Sequence, residues 1–137
     1  MELNKKGFTL IEILAVVVML GLLTSVAISG TMRYLEKTRE KAYEALEQTL
    51  HSAAENYIID RGVLVPTTGG LTLTSAQLIE TGFIKELDDP AGADDNKQCT
   101  GTVKVTRSNN TGSKLDEYTY EVRLQCSAYT STRTFNS

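Results

Sequence analysis

The chain is predicted to be an α+β protein: one long N-terminal helix packed against a short helix and a small antiparallel β-sheet. Three observations lead there. Residues Phe8 to Ile28 form a nearly unbroken apolar run in which Glu12 is the only charged group. No proline interrupts the chain from Phe8 to Arg61. Beyond residue 100, Val103, Val105 and Tyr118, Tyr120, Val122, Leu124 alternate with polar residues, the period-2 pattern of half-buried strands.

The apolar run has the length of a membrane span, which needs about 20 such residues. Glu12 is costly there, since a carboxylate at the centre of a span costs roughly 2.5–3.5 kcal/mol even on the lenient insertion scale. Its place near the start of the run lowers that cost, but it still calls for a partner, and no basic residue lies within a turn of it inside the run. A new amine at Phe8, exposed by cutting after Gly7 and supplied by a second copy of the chain, would serve. Two plainer readings compete. In one, residues 1–29 are a secretory signal with Ala27-Ile28-Ser29 as the cleavage site; in the other, the run is a simple anchor. Lys5 and Lys6 place the leader on the cytoplasmic side in every case.

The helical pattern continues past the span. Leu35, Ala42, Leu46, Leu50, Ala53 and Tyr57 recur on one helical face,. Glu36, Glu40, Glu44 and Glu47 are read as a solvated face, and His51 as an exposed polar residue. The spacing predicts one helix of about 50 residues, amphipathic in its second half and about 75–80 Å long at the standard rise. Gly62 is the expected stop. Pro66 to Gly70 is a loop. Thr74 and Gln77 then form a capping box flanked by a Leu73–Leu78 staple. Gly82 ends this short second helix, with Phe83 folding back on Leu78.

Pairing Val105 with Tyr120 and Val103 with Val122 makes the tail a hairpin that bends near Thr111-Gly112-Ser113. The same register sets Lys104 opposite Glu121 and Cys99 opposite Cys126. A Cys99–Cys126 disulfide is therefore expected in an exported domain. Residues after Cys126 either add an edge strand or stay loose.

Composition narrows the chemistry. The net charge is −3, which disfavours non-specific nucleic-acid binding as the main task. Residues 62–96 sum to −5 and residues 97–137 to +3, either an ordinary solvated surface or opposite-sign faces that meet between subunits. With one histidine and no phosphate-binding glycine loop, no catalytic constellation emerges. Asp88, Asp89, Asp94, Asp95 and Asn96 form the one oxygen-rich cluster; such ligands suit calcium, although their spacing matches no EF-hand. No other cofactor is expected.

Lys5, Lys6, Gly7, Phe8 and Glu12, with the apolar run behind them, resemble the prepilin signal of type IV pilins and type II secretion pseudopilins, a Gram-positive-type pilin included. Gly21 sits where many members carry glycine, and Ser29 where many carry proline. The resemblance implies cleavage between Gly7 and Phe8 by a prepilin peptidase, N-methylation of Phe8 and a role for Glu12 in assembly. It implies a leader over 1–7, a membrane or filament-core helix over 8–30, and a head over 31–137 that includes the amphipathic helix half. The expected partners are further copies and related pilins, an assembly ATPase and a platform protein. The precursor would cross the cytoplasmic membrane once, and the product would lie in an extracellular pilus or a cell-envelope pseudopilus. The expected function is that of a structural filament subunit, not an enzyme. The alternatives are a secretion pseudopilin, and a minor pilin or anchored adhesin whose head binds a surface or DNA.

Overall fold

A computed structural model describes residues 7–92, 97–108 and 117–136. The element order is α1 (Leu10–Arg61), β1 (Leu71–Thr74), α2 (Ser75–Glu80), β2 (Thr100–Ser108), β3 (Glu117–Gln125) and β4 (Thr130–Asn136). The long helix, short helix and antiparallel sheet are those expected of the α+β class. The chain divides into two compact units at Thr38/Arg39.

In the first unit each described residue of α1 from Leu10 to Thr38 is exposed. Thr24, Thr31 and Thr38 turn their hydroxyls back onto carbonyls three or four residues earlier, which satisfies these polar groups without leaving the helix. By length and composition α1 can cross a membrane.

The second unit packs the rest of α1 and the short α2 against a four-stranded antiparallel sheet of order β1-β2-β3-β4. Strands β2 and β3 pair in the expected register, Val103 with Val122, Lys104 with Glu121 and Val105 with Tyr120. The bend between them lies outside the described residues. Their inner positions are buried and their outer ones polar, so this register is held by burial: a slip of one residue would turn the whole apolar set to water. Gly101 is the close-approach point, because a Cβ there would sit 2.4 Å from Leu50 Cδ1. Leu50, Leu78, Val65, Val103, Val105, Val122 and Leu124 are the largest fully buried apolar side chains.

Both glycine stops operate by the same mechanism. Gly62 and Gly82 take positive φ, 59° and 82°. Val63 N–H reaches back to Ile58 O at 3.1 Å, and Phe83 N–H to Leu78 O at 2.9 Å, the six-residue closure of a Schellman motif. The capping box at Thr74 and Gln77 is complete. The sequence reading did not foresee strand β1. Leu73, assigned there only to a helix staple, is also a strand residue paired with Val103. The tail after Cys126, left open between strand and loose end, is edge strand β4, paired along β3.

The buried face of α1 differs from the expected stripe. Leu50 and Ala53 of that stripe are buried as expected, but the face runs on through Tyr43, Glu47, Ala54 and Ile58, about one residue round the helix from Ala42, Leu46 and Tyr57, which are half-buried. Leu35 is exposed. Two readings are corrected accordingly. Glu47 is fully buried and not solvated, and His51 is 9% exposed and not a surface residue. Strand β4 is the cause, since it lies over that flank and supplies partners to both side chains.

Candidate functional site

Two places in the chain gather unusual side chains, one in each unit. The first is the helix start. Residues 7–9 precede the helix, which leaves the Gly7–Phe8 peptide in non-helical chain. Thr9 stands at the cap position: its carbonyl accepts from Glu12 N at 3.1 Å and from Ile13 N at 3.3 Å. Glu12 reaches back, its Oε2 accepting from Thr9 N at 3.2 Å and from Thr9 Oγ1 at 3.3 Å. An acid in the first turn also meets the positive end of the helix dipole. Glu12 shares an open apolar depression with Phe8, Ile13, Val16 and Val17. Phe8 is 84% exposed and Leu10 89%. The chain thus presents a carboxylate on a wholly unburied apolar rod, one turn from the junction expected to be cut.

The second place is a polar seam in the head. Asp89 precedes Pro90 in the connection between α2 and β2 and is buried. Its Oδ1 accepts from Tyr43 Oη at 3.1 Å and from Ala91 N at 2.9 Å, and its Oδ2 from Ser127 N at 2.9 Å and from Ser127 Oγ. The Ser127 hydroxyl, above all, holds the carboxyl down at about 2 against the opposing effect of burial. The Tyr43 phenol is pushed up, first by burial and then by its bond to Asp89. Tyr43 stacks on Tyr129 with ring centroids 4.1 Å apart. Tyr129 Oη donates to Glu47 at 3.3 Å, and Ser131 Oγ also donates to Glu47. Arg133 stands with its Nε 3.1 Å from Glu47 Oε2 and its NH2 group 3.1 Å from Glu44 Oε1. The Glu44 hydrogen bond and the Glu47 charge raise the Arg133 pKa further. His51 stacks on Phe135 at 4.5 Å and meets the edge of Tyr120 at 4.8 Å. Neither of its ring nitrogens has a hydrogen-bond partner among the described residues, so it serves as an aromatic plate.

The expected disulfide joins Cys99 to Cys126, with Cα atoms 4.3 Å apart. It lies beside Asp89, and one carboxylate oxygen and both sulfurs fall within 4.8 Å of one another. With both thiols consumed in the bond, the trio is not a metal site as it stands. Of the acidic cluster singled out in the sequence, Asp88 is exposed and pairs as a β-bridge with Gln98. Asp89 is committed to protein donors, and Asp94, Asp95 and Asn96 lie outside the described residues. The seam joining Tyr43, Glu47, Ser127, Tyr129, Ser131 and Arg133 was missed in the sequence. The only available signal was Glu47 and His51 four residues apart, flanking Leu50.

The profile of the prokaryotic N-terminal methylation motif matches residues 3–28. Type II secretion system core protein G of Klebsiella pneumoniae is 36% identical over 102 residues, covering 66% of this chain and 72% of that protein. Its namesake in Pectobacterium carotovorum subsp. carotovorum is 34% identical over 102 residues, covering 66% of this chain and 65% of its own. Type IV major pilin protein PilE of Neisseria gonorrhoeae is 26% identical over 87 residues, covering 64% of this chain. The chain spans about half the length of PilE, at 52%. No solved structure matches significantly. With the methylation motif at its start and 36% identity to core protein G over 72% of that protein, this chain belongs to the family of type IV pilins and type II secretion pseudopilins.

Proposed function

We infer that the chain is a structural subunit of a type IV pilus-like filament, polymerised through α1 after removal of residues 1–7. The observation that carries this reading is the exposure of the apolar helix. From Val16 to Leu23 the large hydrophobic residues are 54–69% exposed. Burial of apolar surface is worth about 25 cal/mol per Å² removed from water, so this segment belongs either in lipid or among other apolar helices. The single-pass precursor in the cytoplasmic membrane uses the first environment, and the filament core in a pilus or cell-envelope pseudopilus uses the second. Glu12 stands ready to pair with the Phe8 amine of a neighbouring copy. In this scheme a prepilin peptidase cuts at Gly7–Phe8 and the Phe8 amine is methylated. An assembly ATPase and a platform protein then drive polymerisation, and the subunit itself catalyses nothing.

The test is Glu12→Ala as the only copy. It should insert in the membrane as well as the native chain while filament yield falls at least tenfold. Intact mass should show loss of residues 1–7 plus one methyl group. Native filament yield from the variant, or a mature start at Gly30, would overturn the reading.

A second reading is favoured by the greater identity to core protein G than to PilE: the filament is a secretion pseudopilus. Electron microscopy of sheared surface filaments, with mass spectrometry of their subunit, separates the two. The role proposed needs no cofactor. Calcium on Asp88, Asp94, Asp95 and Asn96 would be assigned by a calcium-dependent rise in the head's Tm.

A further inference from the structure

The seam leaves one buried charge without a counter-charge among the described residues. Among the described residues, the partners of the Asp89 carboxylate are neutral donors: one phenol, one hydroxyl and two backbone N–H groups. These bonds stabilise its negative charge without cancelling it. That charge sits in a buried position within 4.8 Å of the Cys99–Cys126 sulfurs. We propose that Asp89 is an electrostatic guard of this disulfide, slowing its cleavage by thiols.

The chemistry follows from how a disulfide is opened. A reagent thiolate attacks the sulfur of Cys126, the half-buried residue of the pair, while Cys99 is 4% exposed. A bond forms between the reagent sulfur and Cys126 as the Cys126–Cys99 bond breaks, and Cys99 Sγ leaves as a thiolate with the bonding pair. A second reagent thiolate then displaces Cys126 Sγ from the mixed disulfide. Two reagent thiols are oxidised to one disulfide, and both cysteines end reduced and take up protons. Exchange rates depend on the charge and stability of both the attacking and the leaving thiolate. In the first step a negative charge approaches and is then spread over three sulfurs beside a fixed carboxylate. At such a distance, and shielded from bulk water, like charges repel strongly. Ser127 links guard and bond, because it adjoins Cys126 and orients the carboxylate from the same turn.

The experiment is reduction of the full-length chain in a non-ionic detergent by three thiols: cationic cysteamine, neutral mercaptoethanol and anionic mercaptoethanesulfonate. Each rate is divided by the reagent's thiolate fraction. The native protein should rank them cation, neutral, anion in falling order. Asp89→Asn should accelerate the anionic reagent about tenfold or more, from the Coulomb repulsion removed at this distance, and should compress the spread among the three. Ser127→Ala, which loosens the same turn but keeps the carboxylate, should raise the three rates together and leave the spread. Equal corrected rates on the native protein overturn the proposal without any variant, which covers a failure of Asp89→Asn to fold. An unchanged spread in a folded Asp89→Asn protein overturns it as well, and assigns the aspartate a purely structural role.

Discussion

Two stretches of the same helix differ in everything except backbone conformation. From Leu10 to Lys41 each described residue of α1 is exposed, among them Leu14 at 61% and Leu22 at 66%. From Tyr43 to Ile58 one face is buried, and that face contains a carboxylate, Glu47, with no exposure at all. Hydrophobicity therefore does not sort the two stretches by burial. The more apolar one is bare and the more polar one is covered. Helix formation is local, decided by backbone hydrogen bonds and the absence of proline over both stretches. Burial is a property of what lies opposite. The head stretch has a sheet and β4 opposite it, whereas each described residue of the first stretch is exposed.

The largest test of this contrast is the same truncation in each stretch. Leu50→Ala should destabilise the head by about 2–5 kcal/mol, as large-to-small changes in well-packed cores do. Leu22→Ala should leave the head's unfolding within about 0.5 kcal/mol of native, the usual range for an exposed site. Denaturant unfolding of the detergent-solubilised chain reads both. Equal losses would mean that exposure does not separate the two stretches.

A second test asks whether the buried carboxylate stabilises by its contacts. Glu47→Ala leaves Tyr129, Ser131 and Arg133 without their shared acceptor. Breaking a fully buried ion pair typically costs about 3–5 kcal/mol. Arg133 is 43% exposed and can turn to water, so the expected loss is smaller, about 1–3 kcal/mol. Amide exchange along β4 should quicken more than along β2.

Acid gives a third and smaller effect. The Asp89 carboxyl titrates at about 2 in the folded protein against an ordinary 3.8. A lowered folded-state pKa means that the native state binds the proton less readily than the unfolded one. The resulting stability is nearly whole above about pH 5 and is lost as pH falls through about 2; at 1.36 kcal/mol per unit it amounts to at most about 2.5 kcal/mol. Asp89→Asn should flatten the stability profile across that window and nowhere else. Smallest of all is Glu44→Ala, which removes one exposed partner of Arg133 at 53% exposure. It should cost under about 1 kcal/mol and fade in salt, in contrast to Glu47 one turn further on.

The charge split between residues 62–96 and 97–137 looks different in three dimensions. Asp89 is spent inside the head, and Glu80, Glu86 and Asp88 are the exposed acids among the described residues of the first segment. Arg133 of the positive segment is paired with Glu44 and Glu47 of α1, so part of that segment's charge is balanced within the head.

Features set by neighbours in sequence could be read from the sequence. The long helix follows from an apolar run without proline, the glycine stop of each helix from positive φ, and the capping box from Thr74 and Gln77. The β2–β3 register could also be read, because alternation leaves one way to bury Val103, Val105, Tyr120 and Val122 together, and that way also brings Cys99 to Cys126. The segment carrying Gly7, Phe8 and Glu12 belongs to the same class, since spacing along the chain is itself the signal. What the tertiary structure decided was every feature that depends on a distant segment. Leu71–Thr74 became a strand because the free edge of β2 was there to pair with it. The buried face of α1 turned by about one residue because β4 came to lie over that flank. Glu47 went inside because Tyr129, Ser131 and Arg133, more than 80 positions later, could hold a carboxylate there. Local propensity and periodicity report what a segment can form. Whether a polar side chain is buried depends on donors from elsewhere in the chain, which no window around that side chain contains.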